Sequence, residues 1–152
     1  MVSAGMRPQE AVREIEARLT AAGCPDADFD ARELFRLVTG VDLRLADQPL
    51  TAAQADRLET LTVRRADREP LQYLCGSWPF LDFELAVGPG VLCPRADTEV
   101  VAEAAAGLLA GVQKPKVLDL CAGTGCLGLG VKRFCPDAMV TSLEKSPEAF
   151  RY

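Results

Sequence analysis

The residues best suited to binding chemistry lie in one glycine-rich segment and in one glutamate that follows it. The segment Asp119–Cys126 has the sequence DLCAGTGC, and Gly123, Gly125 and Gly128 have the spacing G-x-G-x-x-G. It lies between two apolar runs, which predicts a turn from a strand into a helix. Such a turn exposes backbone N–H groups to a ligand. Glu144 lies at the predicted end of the next strand, beside the same crevice.

Two classes of ligand fit this arrangement. The glycine spacing followed by Glu144 is the fingerprint of dinucleotide-binding folds, in which the acidic residue accepts hydrogen bonds from ribose hydroxyls. S-adenosylmethionine also carries a ribose, together with an ammonium and a sulfonium group. Asp119, at the end of the preceding strand, favours S-adenosylmethionine because a carboxylate repels a pyrophosphate and attracts these cations. On the motif alone both classes stay open, as does a tight turn without a ligand.

Composition excludes or disfavours several other kinds of site. The chain has no His, which excludes Ser-His-Asp and Cys-His catalysis and all His-ligated metal sites. None of the six cysteines forms a C-x-x-C pair, and the spacings of Cys121, Cys126 and Cys135 do not fit a zinc ribbon. We therefore predict no metal site. The net charge of -5 disfavours a uniformly basic nucleic-acid binder.

The same sequence predicts a cytoplasmic protein without a membrane span. The N-terminus is charged within seven residues and has no apolar signal core. No run of about 18 uncharged apolar residues is present. Without an export signal, the six thiols are expected to be reduced.

The elements that must position the site begin with a helical region over residues 7–70. Apolar residues recur there at helical spacing, and Gly23 and Gly40 are placed to end the first two helices. Thr51 and Gln54 form a capping-box pattern that predicts the start of a third. Three amphipathic segments joined by short polar loops indicate a small antiparallel helical bundle.

Beyond this bundle the sequence changes character twice. Residues 80–87 alternate apolar and polar side chains between glycines and prolines, which predicts a β-hairpin or an extended connector. From residue 96 onward a helix is followed by strand patterns at 116–120 and 138–144. We therefore predict an α+β multidomain protein with a helical bundle over 1–72, a β-hairpin linker over 73–95 and an α/β domain over 96–152.

Three strings resemble one known family, the N5-glutamine methyltransferases of peptide chain release factors (the PrmC/HemK family). Residues 70–76 (PLQYLCG) resemble its Pro-x-x-Tyr-Leu-x-Gly segment, and residues 91–99 (VLCPRADTE) resemble its Val-Leu-Ile-Pro-Arg-Pro-Asp-Thr-Glu segment. The resemblance continues through KVLDLCAGTGCLGLG at 116–130 and covers about residues 5–152. In that family a helical bundle and a hairpin linker precede a class I S-adenosylmethionine-dependent methyltransferase domain, which is Rossmann-like.

The resemblance implies a reaction and a set of binding residues. The reaction is transfer of the S-adenosylmethionine methyl group to the glutamine side-chain amide in the Gly-Gly-Gln motif of a bacterial release factor. Asp119 would lie near the methionine end of the cofactor, the turn would lie against it, and Glu144 would bind its ribose. No catalytic residue is implied; the implied cofactor-binding residues are Asp119, Cys121, Ala122, Gly123, Thr124, Gly125 and Glu144.

The resemblance also implies that the bundle helps to dock the release factor, with Arg64, Arg65 and Arg68 as the candidate contact face. Three residues depart from the family pattern. Cys121 stands where Gly is common in the turn, Ala96 stands where Pro is usual before Asp97, and Asp82 stands where Gly is usual in the hairpin.

In this family an Asn-Pro-Pro-Tyr motif holds the acceptor glutamine, and the positioning of reacting groups lowers the barrier to reaction. The chain contains no Asn and has only two strand patterns, where the resemblance implies about seven. We therefore expect it to be the N-terminal part of a longer enzyme and to be inactive alone. A non-catalytic remnant that binds a release factor is the alternative, and an NAD(P)-binding Rossmann protein is a weaker one.

Overall fold

The computed structural model describes residues 1–152 and divides them into two units, Met1–Cys75 and Gly76–Tyr152. The first unit is helical, and the second combines helices with two two-stranded sheets. These elements agree with the predicted α+β class. None of the helices is long and apolar enough to span a bilayer.

Four helices build the first unit: α1 (Pro8–Ala21), α2 (Ala27–Thr39), α3 (Ala52–Ala66) and α4 (Leu71–Cys75). The structure confirms the three predicted helices and their boundaries. Gly40 closes α2 in the left-handed conformation, at φ 73°, and Thr51 and Gln54 form the predicted capping box at the start of α3. The sequence pattern did not reveal α4, whose five residues are too few for a visible period.

The inner faces of α1, α2 and α3 share one apolar core. Its largest members are each at most 1 % exposed, and they recur at the helical spacing that defined the bundle in the sequence. Burial of such side chains is the main source of stability for a helical unit of this size. These residues are Ile15, Leu19, Leu34, Phe35 and Leu58.

The second unit begins with the predicted β-hairpin, formed by β1 (Ser77–Phe80) and β2 (Phe83–Ala86). The hairpin is followed by α5 (Ala96–Leu108), β3 (Lys116–Leu120), α6 (Cys126–Phe134), β4 (Met139–Leu143) and a 3-10 helix (Ala149–Arg151). Strands β3 and β4 pair in parallel, in register from Lys116 opposite Met139 to Leu120 opposite Leu143. The segment β3–α6–β4 is therefore a βαβ unit, as the sequence pattern predicted.

The hairpin is fixed to both helices of the second unit. Leu81 N donates to Glu99 Oε1 of α5 at 2.8 Å, and Arg133 of α6 forms an ion pair with Asp82 at 2.5 Å. Phe80 is only 1 % exposed. Asp82, which stands where Gly is usual in the family pattern, therefore supplies the carboxylate that binds α6. These contacts make the hairpin part of the second unit.

The two faces of the β3–β4 sheet differ. Helix α6 lies against one face so closely that a methyl group added at Gly128 would be 3.1 Å from Val140 Cγ1. The opposite face is apolar, and its four large side chains are each between 52 % and 63 % exposed. They are Leu118, Leu120, Met139 and Leu143.

Gly130 of α6 provides a test of this packing. A methyl group there would lie 2.8 Å from Ala102 Cβ and 3.1 Å from Phe80 Cε1, so Gly130→Ala must force α5 or the hairpin away. We expect a loss of about 1–2 kcal/mol in the free energy of unfolding, measured by urea titration. The matched control is Gly107→Ala in α5, which meets nothing within 4 Å and should stabilise the chain by up to about 1 kcal/mol. Equal effects of the two substitutions would contradict this packing.

Candidate functional site

The glycine-rich segment connects β3 to α6 at the carboxyl ends of the two parallel strands. Gly125 N donates to Ala122 O at 2.7 Å, which closes a tight turn. Gly123 and Gly125 both have positive φ, at 56° and 74°, which glycine adopts without steric cost. Ala122 N donates to Leu143 O at 3.0 Å, so the start of the turn stays bonded to the end of β4. The turn thus lies at the crevice where ligands bind open α/β sheets.

Asp119 is buried at 6 % exposure, and its carboxylate faces the N-terminus of α6. Its Oδ2 accepts Gly128 N–H at 3.0 Å and Ser142 O–H at 3.3 Å. Gly128 is the third residue of α6, and the capping position is held by Gly125, which has no side chain. Asp119 therefore caps the helix from the neighbouring strand, and the favourable anion position at this helix N-terminus is taken by the chain's own carboxylate.

Glu144 follows β4 directly and uses both carboxylate oxygens. Its Oε1 accepts Ser146 N–H at 2.7 Å, and its Oε2 accepts Gly123 N–H at 2.8 Å. These two hydrogen bonds, that of Ser146 first, lower the pKa of the Glu144 carboxyl. The group is therefore ionised at neutral pH and held in one orientation beside the turn.

Thr124 supplies a buried hydroxyl in the same turn. The residue is 6 % exposed, and Oγ1 has no oxygen or nitrogen partner within the chain. Burial raises the pKa of the nearby Cys126 thiol, and Thr124 partly opposes the rise. A buried hydroxyl without a hydrogen-bond partner has capacity for a ligand atom.

The wall of the turn is formed by a segment that the sequence assigned to the hairpin linker and not to the site. Val91 approaches Gly123, where an added methyl group would lie 3.7 Å from Val91 Cγ2. Val87 and Val91 are buried with Ala149, which begins the 3-10 helix. The only signal for this contact in the sequence is the apolar pair around Gly-Pro-Gly, which by itself indicates only a turn.

The seven predicted cofactor residues therefore occupy one place, between the ends of β3 and β4. Two further residues that sequence reasoning missed act on them, namely Ser142 and Ser146. Neither carries a motif, because each acts through the geometry of β4 and the turn after it. No group of three or more His, Cys, Asp and Glu side chains is arranged to hold a metal ion.

The three arginines of the first unit do not form a common free face. Arg64 donates from Nε and Nη2 to the carboxylate of Glu69 at 2.7 and 2.6 Å. Arg68 donates from Nη1 to Gly23 O at 2.6 Å. Arg65 is turned inward. Arg65 is therefore not part of an exposed cationic face, whereas Arg64 and Arg68 remain exposed, and their role in a contact face stays a prediction.

Arg65 is the most buried of the three. Its side chain is 13 % exposed, and Nε donates to Asp30 Oδ2 at 2.8 Å, with the Asp30 side chain only 5 % exposed. A buried pair of this kind is costly to break, because removing one partner leaves an uncompensated charge. Arg65 therefore holds α3 to α2.

Comparison with known proteins addresses the identity of the chain. Residues 10–76 match the family model described as the PrmC N-terminal domain. The chain is 39 % identical over 145 residues to the release factor glutamine methyltransferase of Bifidobacterium longum, covering 90 % of this chain and 49 % of that protein. The enzymes of the same name from Deinococcus radiodurans and Mycolicibacterium smegmatis are 38 % and 39 % identical, and the match covers 53 % and 52 % of them. The chain belongs to the release factor glutamine methyltransferase family.

The chain spans about half the length of the curated relatives that it matches. Its match to the PrmC N-terminal domain ends at residue 76, one residue beyond the helical unit Met1–Cys75. The matches to the longer relatives continue through the second unit, since they cover 90 % or more of this chain.

In this chain Cys121 stands where the family resemblance implies glycine, at a position whose backbone conformation favours glycine. The residue is exposed and has a φ of 60°, in the left-handed region. A Cβ atom costs energy there because it approaches the following carbonyl oxygen. The departure is therefore tolerated at a cost in backbone energy, and the turn keeps its shape.

Replacing this residue measures that cost. Cys121→Gly should raise the free energy of unfolding by about 0.5–1 kcal/mol, since relief of the left-handed strain exceeds the entropy that glycine adds to the unfolded chain. Cys121→Ala is the matched control, because it removes the sulfur and keeps the Cβ. Equal free energies of unfolding for the glycine and alanine variants in urea titrations would show that the backbone at residue 121 is not strained.

Proposed function

We propose that the second unit binds S-adenosylmethionine at the carboxyl ends of β3 and β4. The observation that carries the proposal is the position of the Asp119 carboxylate, which accepts Gly128 N–H at the N-terminus of α6. A dinucleotide needs the N–H groups at this helix end for its pyrophosphate. Here a carboxylate already takes that position and would repel the phosphates.

The remaining residues fit the same cofactor. Glu144 is ionised and fixed, and each carboxylate oxygen keeps a second lone pair for a ribose hydroxyl. Thr124 offers its buried hydroxyl, and the small residues of the turn allow close approach. Asp119, Cys121, Ala122, Gly123, Thr124, Gly125 and Glu144 would hold the cofactor, which supplies an electrophilic methyl group on its sulfonium sulfur.

The proposed reaction is methylation of the glutamine side-chain amide in the Gly-Gly-Gln motif of a bacterial release factor. Support comes from the relatives, whose name states this substrate and this residue type. In this proposal the helical unit contributes to binding the release factor. Of the candidate contact residues, Arg64 and Arg68 are exposed and could take part in that contact, whereas Arg65 is turned inward and pairs with Asp30.

We further propose that the βαβ unit is the first part of a class I, Rossmann-like methyltransferase domain. The bare apolar face formed by Leu118, Leu120, Met139 and Leu143 supports this, because such a face is stable when further elements cover it. The relatives are about twice as long as the chain, which is enough for those elements.

Ligand binding separates the two cofactor classes. S-adenosylmethionine should raise the melting temperature of the chain and give a binding isotherm, whereas NADH should do neither. Asp119→Asn should weaken S-adenosylmethionine at least about tenfold, about 1.4 kcal/mol, because the attraction to the ammonium and sulfonium groups is lost. Asp137→Asn, which changes an exposed carboxylate of the same unit, is the control and should bind normally. A response to NADH alone would replace this proposal with the dinucleotide one.

The methyl transfer itself should be absent from the 152 residues alone. The chain contains no Asn, and the resemblance assigns orientation of the acceptor amide to an Asn-Pro-Pro-Tyr motif. Incubation with labelled S-adenosylmethionine and a release factor should give no label above a blank without protein. The Mycolicibacterium smegmatis relative serves as the positive control. Transfer above the blank would contradict this prediction and would also exclude a non-catalytic binding module.

A further inference from the structure

We propose that Glu144 is a positioning residue: its carboxylate fixes the β3–α6 turn to the turn that follows β4, in addition to any contact with a ribose. This proposal rests on the proposed function for the identity of the ligand. Its structural part rests on two hydrogen bonds alone, from Gly123 N–H to Oε2 at 2.8 Å and from Ser146 N–H to Oε1 at 2.7 Å.

These bonds join the two loops at the crevice. Parallel strands end side by side, so the connections that leave β3 and β4 form the two sides of the crevice. Beyond the last ladder pair, Leu120 opposite Leu143, one backbone hydrogen bond joins the loops, from Ala122 N to Leu143 O, and Val91 lies against Gly123 and is buried with Ala149. A carboxylate that accepts a hydrogen bond from each loop adds a polar constraint on the distance between the two sides.

Each residue that Glu144 binds has further contacts. Gly123 lies against Val91. Ser146 Oγ accepts Ala149 N–H at 3.3 Å, and Ser146 O accepts Phe150 N–H at 2.9 Å. Glu144 is therefore the side chain that joins the two loops by hydrogen bonds, beside the apolar contact that Val91 makes with both.

The arrangement has a consequence for a ligand with a vicinal diol. The orientation of the carboxylate is set by the protein before binding, so the ligand does not have to order it. Loss of the carboxylate should therefore weaken two things, the contact with the diol and the placement of the turn against the rest of the ligand. The two effects are separable, because only the first requires hydroxyl groups.

The structural part is tested without any ligand. In the wild-type chain, the amide proton resonances of Gly123 and Ser146 should shift together with pH, with one midpoint below the usual range of a glutamate. Glu144→Gln should abolish the shared titration, since a glutamine amide does not ionise. Glu148→Gln is the matched control, because Glu148 bonds to Ser146 Oγ and leaves the bridge intact. Independent titration of the two amides in the wild type would overturn the proposal.

The ligand part compares S-adenosylmethionine with its 2′,3′-dideoxy analogue by calorimetry. Glu144→Asp keeps the charge and is one methylene too short to reach both loops. A positioning role predicts that this variant binds both ligands about tenfold more weakly, about 1.4 kcal/mol. An unchanged affinity for the dideoxy analogue would mean that Glu144 acts only through the hydroxyls. If the wild type binds neither ligand, the proposed cofactor is wrong, and the amide titration still decides whether Glu144 bridges the loops.

Discussion

The second unit depends on one buried carboxylate, that of Asp119. It joins three elements, because it stands on β3, accepts Gly128 N–H of α6 and accepts the hydroxyl of Ser142 on β4. The approach is close enough to require glycine: a methyl group at Gly128 would lie 2.9 Å from Asp119 Oδ2 and 2.7 Å from Ser142 Oγ. Gly128, the third glycine of the G-x-G-x-x-G spacing, therefore allows α6 to pack closely against the strands. The negative charge of the site comes from Asp119, whose carboxylate packs against this glycine.

The two units differ in how much of their own apolar surface they bury. Of eighteen large hydrophobic side chains that are exposed, thirteen lie in the second unit, although the units are almost equal in length. The helical unit encloses its core among three helices, whereas the β3–β4 sheet of the second unit is covered on one face only. This difference agrees with a match to about half the length of the relatives. The helical unit therefore buries its apolar surface within itself, whereas the β3–β4 sheet leaves one apolar face exposed.

Local signals in the sequence were sufficient for most of the helices and strands, although not for α4. Helical periodicity, the capping box at Thr51 and the alternation in the hairpin each act over a few residues, and each was confirmed. Interactions between distant residues were not predictable in the same way. Nothing near Arg65 in the sequence indicates its buried partner Asp30, and nothing near Asp82 indicates Arg133. For this reason the sequence could not show that Arg65, unlike Arg64 and Arg68, is turned away from the surface.

The attachment of the hairpin bears on how segments could be exchanged between members of this family. Leu81 binds Glu99 of α5, and Asp82 binds Arg133 of α6. The hairpin and these two helices therefore depend on one another's residues. A chimaera joined at residue 95 would pair the hairpin of one species with the helices of another and would lose those bonds. A junction between Cys75 and Gly76 keeps both sets of partners together. Recombination among relatives should therefore be tolerated better at that point than within the twenty residues that follow it.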